Sequence, residues 1–455
     1  MVYRRRATMF ELGPDQIIEG KADSIRRAIE QAIVDERLKP GEALPTVRTL
    51  AQDLGINKNT VVAAYRQLQQ SGLVISDGRR GSIVAGQASQ TSSRRASDRD
   101  GQTLSVRDGN PDIAFLPSEA DIRDALARLS VDHHLYGEQR NHAPFVQWAA
   151  ECFAADGVEV DRIFVCAGAL DLVERALQAI GLVPGDRVAV ENPGYVSLHA
   201  LVRTMGFELV PLELDANGVV PASLKAALKT GAKAVMVSSR AQNPTGIATS
   251  KSRSTELKRI AASAKDVLFI DDDHSSLLNL APYHPWHSRD DGPWLTVRSL
   301  SKLLGPDYRI AIATGDTDTI ERLESRQSVG MGWVSTFLQR LAHELLSSAG
   351  VRKKIDAAGS AYRERYEILA AALEKKGFKI TGNAGLNLWV PLANEREVAD
   401  RLFEAGWLVR AGRDFCVSGG SGIRVTSSRM SSRQSLAFAE ALVAARSASA
   451  TTLAA

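Results

Sequence analysis

Residues 86–105 read GQASQTSSRRASDRDGQTLS. A run rich in Ser, Gln and Arg, with no apolar period, cannot bury enough surface to fold by itself, and it reads as a flexible linker over 87–104. It divides the chain into two bodies that must each build their own core. The first, residues 17–86, has room for one small domain. The second, residues 105–445, is long enough for a large α/β unit. The chain has 455 residues, 44% apolar and 24% charged, the balance of a globular protein rather than a disordered one. The tail after Ala445, RSASATTLAA, is expected to fray.

Charge points to the amino-terminal body. Lys and Arg total 56 against 53 Asp and Glu, a net +3, and residues 1–86 hold 13 of the basic and 10 of the acidic residues. A nucleic-acid surface therefore belongs at that end. No apolar run reaches the roughly 18 residues that span a bilayer, and MVYRRRATMF lacks the apolar core of a secretory signal. No membrane association is expected. The three cysteines, Cys152, Cys166 and Cys416, form neither a paired framework nor a metal-ligand spacing. No metal site is expected, and a cytoplasmic location is.

Asp23-SIRRAIEQAIVDERL carries apolar residues at Ile25, Ala28, Ile29, Ala32 and Ile33, the spacing of an amphipathic helix capped by Asp23 or Ser24. Thr46-VRTLAQDLG predicts a second helix stopped by Gly55. Lys58-NTVVAAYRQLQQSG predicts a third, capped by Asn57 and closed by Gly72. Leu73-VIS and Ser82-IVA are short strands around the basic hairpin Asp77-Gly-Arg-Arg-Gly81. Together these form a winged helix-turn-helix. Asn57, Lys58, Asn59 and Thr60 stand on the first turn of the third helix, where side chains reach base edges in a major groove. Arg48, Arg79 and Arg80 suit phosphate contacts that position the helix. The string GEALPTVRTLAQDLGINKNTVVAAYRQL, with GLV and GRRGSIV after it, resembles the GntR family of DNA-binding domains. That resemblance implies a double-stranded DNA operator as partner.

In the second body, Arg187-VAV, Ala234-VMV, Val267-LFI, Trp294-LTV and Ile310-AIA read as strands. Helical patterns at Ala169–Ile180, Pro221–Lys229 and Thr255–Ala264 lie between them. The alternation is that of a doubly wound sheet with ligands at its strand ends. After about Leu345 the pattern turns helical and then mixed, as for a smaller second subdomain.

Chemically loaded residues fall at those strand ends. Lys302, in RSLSKLLGPDYR, follows a buried strand, where a desolvated amine can form a Schiff base with an aldehyde. Ser299, Ser301 and Arg309 around it suit a phosphate dianion. Asp272, in FIDDD, can hold a pyridinium proton; a metal ligand or a helix cap is the competing reading. Neighbouring aspartates alternate in direction along a strand, so all three cannot face one ion. Asn243, in QNPTG, sits in a turn and can donate to a phenolate oxygen. Backbone N–H groups of Gly168, Ala169 and Leu170 open a helix after CAGAL and can cradle phosphate. Tyr195, in ENPGY, can stack on a ring or serve in the core. Arg424, in GIRVTSS, can clamp a carboxylate or lie exposed on its strand.

These segments resemble the fold-type I aminotransferases. The resemblance implies a fold of a large doubly wound domain and a small C-terminal subdomain, with pyridoxal 5′-phosphate (PLP) as cofactor. It assigns the Schiff base to Lys302 as catalytic residue, the pyridine nitrogen to Asp272, O3′ to Asn243 and the phosphate to Ser299, Ser301 and Arg309. Ring stacking falls to Tyr195 and the substrate or effector carboxylate to Arg424. Tyr136, in LYGE, is similar to the tyrosine that reaches the phosphate of a neighbouring subunit, so a homodimer is implied.

A GntR-like domain ahead of an aminotransferase-like domain resembles the MocR-type transcription regulators. The strings GNPDIAFLP, LYGE, SRAQNPTG, IDDDH and RSLSKLLGPDYRIAI are most similar to their PtsJ-type branch, which implies control of vitamin B6 metabolism. Two positions depart from the pattern. His274 stands where a tyrosine contacting O3′ is common, and an imidazole there is expected to change charge near neutral pH. CAGAL lacks a threonine of the phosphate loop. Both weigh against efficient transamination more than against cofactor binding. The expected function is a PLP-responsive regulator, with PLP itself or an amine or amino acid as effector. The alternatives are an active aminotransferase with an appended DNA-binding domain, and a scaffold that no longer binds PLP.

Overall fold

The structure, a computed structural model, describes residues 22–35, 37–39, 42–70, 73–76, 81–84, 103–130, 133–287 and 292–452. It falls into two compact units, Met1–Gly101 with Arg203–Glu208, and Gln102–Val202 with Leu209–Ala455.

The amino-terminal unit holds α1 (Ala22–Val34), α2 (Val47–Asp53), α3 (Lys58–Gln70), β1 (Val74–Ser76) and β2 (Ser82–Val84). Ile25, Ile29 and Ala32 of α1 pack with Leu50, Val61, Ala64, Tyr65 and Leu68 in one core, so the spacing read from the sequence is the buried face. Asp23 does not cap α1. The helix already begins at Ala22, and Asp23 in its first turn pairs with Arg26 and Arg27 instead. Thr46 caps α2 by accepting from the Thr49 N–H, and Gly55 follows with φ +64°, the left-handed stop that glycine tolerates. β1 and β2 pair antiparallel, Val74 opposite Val84. The Leu44 N–H donates to the Ser82 carbonyl, and the Val84 N–H to that of Glu42, so the segment ahead of α2 extends this small sheet. Gly72 and the hairpin residues Asp77, Arg79 and Arg80 lie outside the described residues.

In the second unit, among the described residues, eight strands form one sheet in the order β4-β11-β10-β9-β8-β5-β6-β7. They are β4 (Phe164–Cys166), β5 (Arg187–Asn192), β6 (Glu208–Asp215), β7 (Gly218–Val219), β8 (Ala232–Val237), β9 (Leu268–Asp272), β10 (Trp294–Ser299) and β11 (Ala311–Gly315). β5, β8, β9 and β10 run parallel. Their near-continuous burial is that of strands covered on both faces. β11 reverses direction against both β10 and β4, which its apolar run alone does not announce. The helix expected at Thr255–Ala264 lies at Lys251–Ala261. Ser250 starts it a turn earlier by accepting from the Arg253 N–H.

A second core belongs to the smaller subdomain. Its sheet has the order β12-β15-β14, from β12 (Asn387–Pro391), β14 (Arg410–Ala411) and β15 (Gly422–Thr426). Leu388, Val390, Ile423 and Val425 pack there against Leu369, Leu373, Phe438 and Leu442. β3 (Leu104–Ser105) pairs in parallel with β13 (Trp407–Leu408), so the last residue assigned to the linker is already in a strand. Of the tail expected to fray, residues 446–452 continue the helix Ser432–Thr452, and residues 453–455 lie outside the described residues. No helix among the described residues is long and apolar enough to cross a membrane.

Candidate functional site

The loaded residues gather at the carboxyl ends of β4, β8, β9 and β10. β10 ends at Ser299, and a short 3-10 turn, Leu300–Lys302, follows. Ser299 holds that turn, accepting from the Ser301 N–H at 3.3 Å and donating to the Ser301 hydroxyl at 3.0 Å. Lys302 Nζ donates to the Gly109 carbonyl at 2.7 Å. Burial, helped by the Arg424 charge, lowers the Lys302 pKa to about 8, so an appreciable share of the amine is neutral a little above pH 7.

β9 sorts the three aspartates by face. Asp271 points away from the site, accepting from the Ser239 N–H, the Tyr283 hydroxyl and the Trp286 indole. Asp273 points the same way, taking Arg240 Nε at 3.0 Å and Arg298 Nε at 2.9 Å. Both arginines, fully buried, also reach Asp156, and Arg298 donates to the Cys152 carbonyl at the end of helix Ala143–Ala155. Burial alone would raise the Asp273 pKa, but the two guanidiniums hold it at about 2. Asp272 is left on the other face, and its buried Oδ1 has no hydrogen-bond partner. Burial and the charges of Asp271 and Asp273 push it up to about 7, against the pull of Lys302.

A cradle lies at the start of helix Ala169–Ala179. Gly168 is its N-cap, with φ 108° and no side-chain cap, so Ala169 and Leu170 open the helix with backbone donors. Arg309, itself at φ 49°, sits over Gly168. A Cβ on Gly168 would lie 2.5 Å from Arg309 Nη2, so the guanidinium would have to shift. The positive φ of Gly168 is what favours glycine there.

Asn243 accepts from Arg424 Nη1 at 3.0 Å, which leaves its amide NH2 as a donor. Its turn is braced from behind: Gln242 donates to Glu191 at 3.0 Å and to the Pro193 carbonyl at 2.9 Å, and accepts from Thr245. Arg424 is 3% exposed, lies over the Phe415 ring at 5.0 Å and also donates to the Arg107 carbonyl. It is not the exposed strand residue of the alternative reading. Tyr195 is half-buried just ahead of helix Val196–Thr204. Tyr136 stands apart: it is 92% exposed, with its ring edge on Trp333. The expectation for His274 is corrected. Burial, reinforced by Lys302, lowers its pKa to about 4, so the imidazole is neutral throughout the physiological range.

The donor set fits PLP. The orphaned Asp272 oxygen suits a ring N–H, the Gly168–Arg309 cradle a phosphate, and Lys302 an aldehyde. Sequence reasoning did not single out Asp156, Arg240, Arg298 or Gly109. An arginine inside the apolar strand WLTVRS was the available signal, because a charge so placed must be paired.

On the amino-terminal unit, Asn57, Lys58 and Asn59 are exposed side by side at the start of α3, with Thr60 half-exposed. Asn57 Oδ1 accepts from the Asn59 N–H at 2.9 Å, so its oxygen is engaged as a cap and its NH2 remains as donor. Arg48 is exposed on α2. The Tyr65 hydroxyl donates to the Pro45 carbonyl at 2.8 Å and ties α3 to the start of α2. The wing arginines Arg79 and Arg80 lie outside the described residues.

Comparison with known proteins agrees with both halves. The family described as Aminotransferase class I and II matches residues 108–442, and Bacterial regulatory proteins, gntR family, matches residues 21–84. The chain is 37% identical over 417 residues to a vitamin B6 salvage pathway transcriptional repressor, PtsJ, of Salmonella typhimurium, covering 91% of this chain and 96% of that protein. This chain belongs to the MocR-type regulators. An HTH-type transcriptional regulator, TauR of Rhodobacter capsulatus, is 28% identical, with 86% of this chain and 88% of that one covered. A multiple substrate aminotransferase from Thermococcus profundus shares the fold, with a TM-score of 0.71 at 21% identity over 80% of this chain and 96% of that one. This MocR-type regulator therefore couples a DNA-binding helix-turn-helix to a PLP-binding domain of aminotransferase fold.

Proposed function

We propose that this regulator senses PLP, or an amine that meets PLP in its site, and adjusts its grip on an operator that controls vitamin B6 genes. The proposal places it in the cytoplasm as a homodimer. One observation carries it: Asp272 presents a buried carboxylate oxygen without a partner on the side of β9 opposite its paired neighbours. Such a group is costly unless a ligand donor completes it. When bound, PLP supplies a reactive aldehyde carbon and a pyridinium ring that withdraws electrons.

The remaining roles belong to the chain. Lys302 presents an amine whose lowered pKa keeps part of it nucleophilic. Asp272 holds the ring proton, Asn243 and neutral His274 offer donors to the phenolate oxygen, and Tyr195 covers the ring face. Ser299, Ser301, Arg309 and the N–H groups of Gly168, Ala169 and Leu170 bind phosphate. Exposed Tyr136 reaches the site of a second copy. On DNA, Asn57, Lys58, Asn59 and Thr60 read bases, while Arg48, Arg79 and Arg80 hold phosphates. The ligand shifts DNA affinity only by its difference in affinity between the two conformations of the chain.

Absorbance and DNA footprinting test this together. Purified protein with PLP is expected to absorb near the visible edge, and Lys302→Ala to lose that band. Footprints upstream of its own gene are expected to change with PLP. Protein that stays colourless, or footprints that stay identical, would overturn the reading. Intact Lys302 and Asp272 also leave room for a transamination half-reaction. Single-turnover spectra with amino acids, followed by a keto acid, distinguish that activity from sensing alone.

A further inference from the structure

The smaller subdomain places a second arginine beside the one assigned to a carboxylate. β14 pairs antiparallel with β15, and the register sets Arg410 directly opposite Arg424. Directly opposed residues share one face of a sheet. Here it is the face turned away from the smaller core, since Ile423 and Val425, the neighbours of Arg424, point into that core. Both guanidiniums lie over one ring: Arg424 at 5.0 Å and Arg410 at 5.5 Å from the centre of Phe415.

Like charges directly opposed on a sheet are destabilising, and among the described residues neither guanidinium forms an ion pair with a carboxylate, although the Asp108 charge is felt at Arg424. Arg424 contacts only uncharged oxygens, of Asn243 and Arg107, and its buried Nε has no partner at all. Asp108 is already taken by Arg429 at 2.6 Å. Burial, with Arg410 as the next cause and Asp108 opposing, pulls the Arg424 pKa down to about 10.

We infer that Arg410 and Arg424 form a double-arginine clamp for an amino-acid effector with two anionic groups, its α-carboxylate on Arg424 and a side-chain anion on Arg410. The inference rests on the proposed PLP site and names the class of ligand that site admits. A guanidinium binds carboxylate and phosphate alike through its planar fork, so the shared chemistry is an acidic amino acid with a second anion of either kind.

Calorimetric binding to the full-length, PLP-loaded protein tests it, with L-aspartate, L-glutamate, O-phospho-L-serine and L-alanine as probes. At least one dianionic probe is expected to bind about tenfold more tightly than L-alanine, the effect of one added charge-assisted contact. Comparing the phosphate probe with the carboxylate probes tells which second anion the clamp prefers. Arg410→Met is expected to bring the dianionic probes to the level of L-alanine, and Arg410→Lys to restore part of the preference. Equal affinities in the wild type, or a preference that survives Arg410→Met, overturn the clamp. If the visible-edge band never forms, the PLP reading itself fails and the clamp falls with it; if the band forms and the preference is missing, the clamp alone fails.

Discussion

Asp272 links the cofactor question to a measurable property of the folded chain. Its folded pKa of about 7 stands above the ordinary value of 3.8, so the folded chain binds more protons than the unfolded one between those limits. Its stabilising contribution is full below about pH 4 and is lost as pH rises toward 7, at up to about 1.4 kcal/mol per unit. Without cofactor, Asp272→Asn is therefore expected to gain on the wild type across that window in urea titrations. A constant difference from pH 4 to 8 would contradict it. His274 shows where residue-level reading stops. Its type and position were legible in IDDDH, but its charge depends on burial between segments distant in sequence. The same holds for Arg410, whose place opposite Arg424 is set by the register of two short strands.

Helices and strands carry the next two predictions. α3 starts on the Asn57 cap, and Asn57→Ala is expected to cost about 1 kcal/mol, read from the urea midpoint of the amino-terminal unit. A midpoint unmoved would mean that water replaces the cap. The ends of β8, β9 and β10 are tied by Arg240, Arg298, Asp273 and Asp156. Arg298→Met leaves buried acid short of a partner and is expected to cost about 3–5 kcal/mol. Adding Asp273→Asn is expected to return part of that loss. At this scale the sequence was informative for α2, α3 and the parallel strands, because caps, glycine stops and apolar runs are local signals. It was silent on the reversal of β11 and on the pairing of Arg298 with Asp156, since both are decided by contacts between remote segments.

The whole chain behaves as two cooperative bodies in the prediction from mass action. A ligand bound only by residues 102–455 stabilises that unit by about 2.7 kcal/mol at a concentration one hundred times its Kd. Scanning calorimetry is expected to show the transition of the larger unit rising with PLP while that of the helix-turn-helix unit stays fixed; equal shifts of both would contradict it. The expected division into bodies was read from the composition of residues 87–104 alone. The pairing of the residues just beyond them was not legible. β3, the first strand beyond the linker, hydrogen-bonds to β13 and not to any strand of the eight-stranded sheet. Leu104 and Ser105 are thus moored to the smaller subdomain, and any swing of that subdomain drags them along with it.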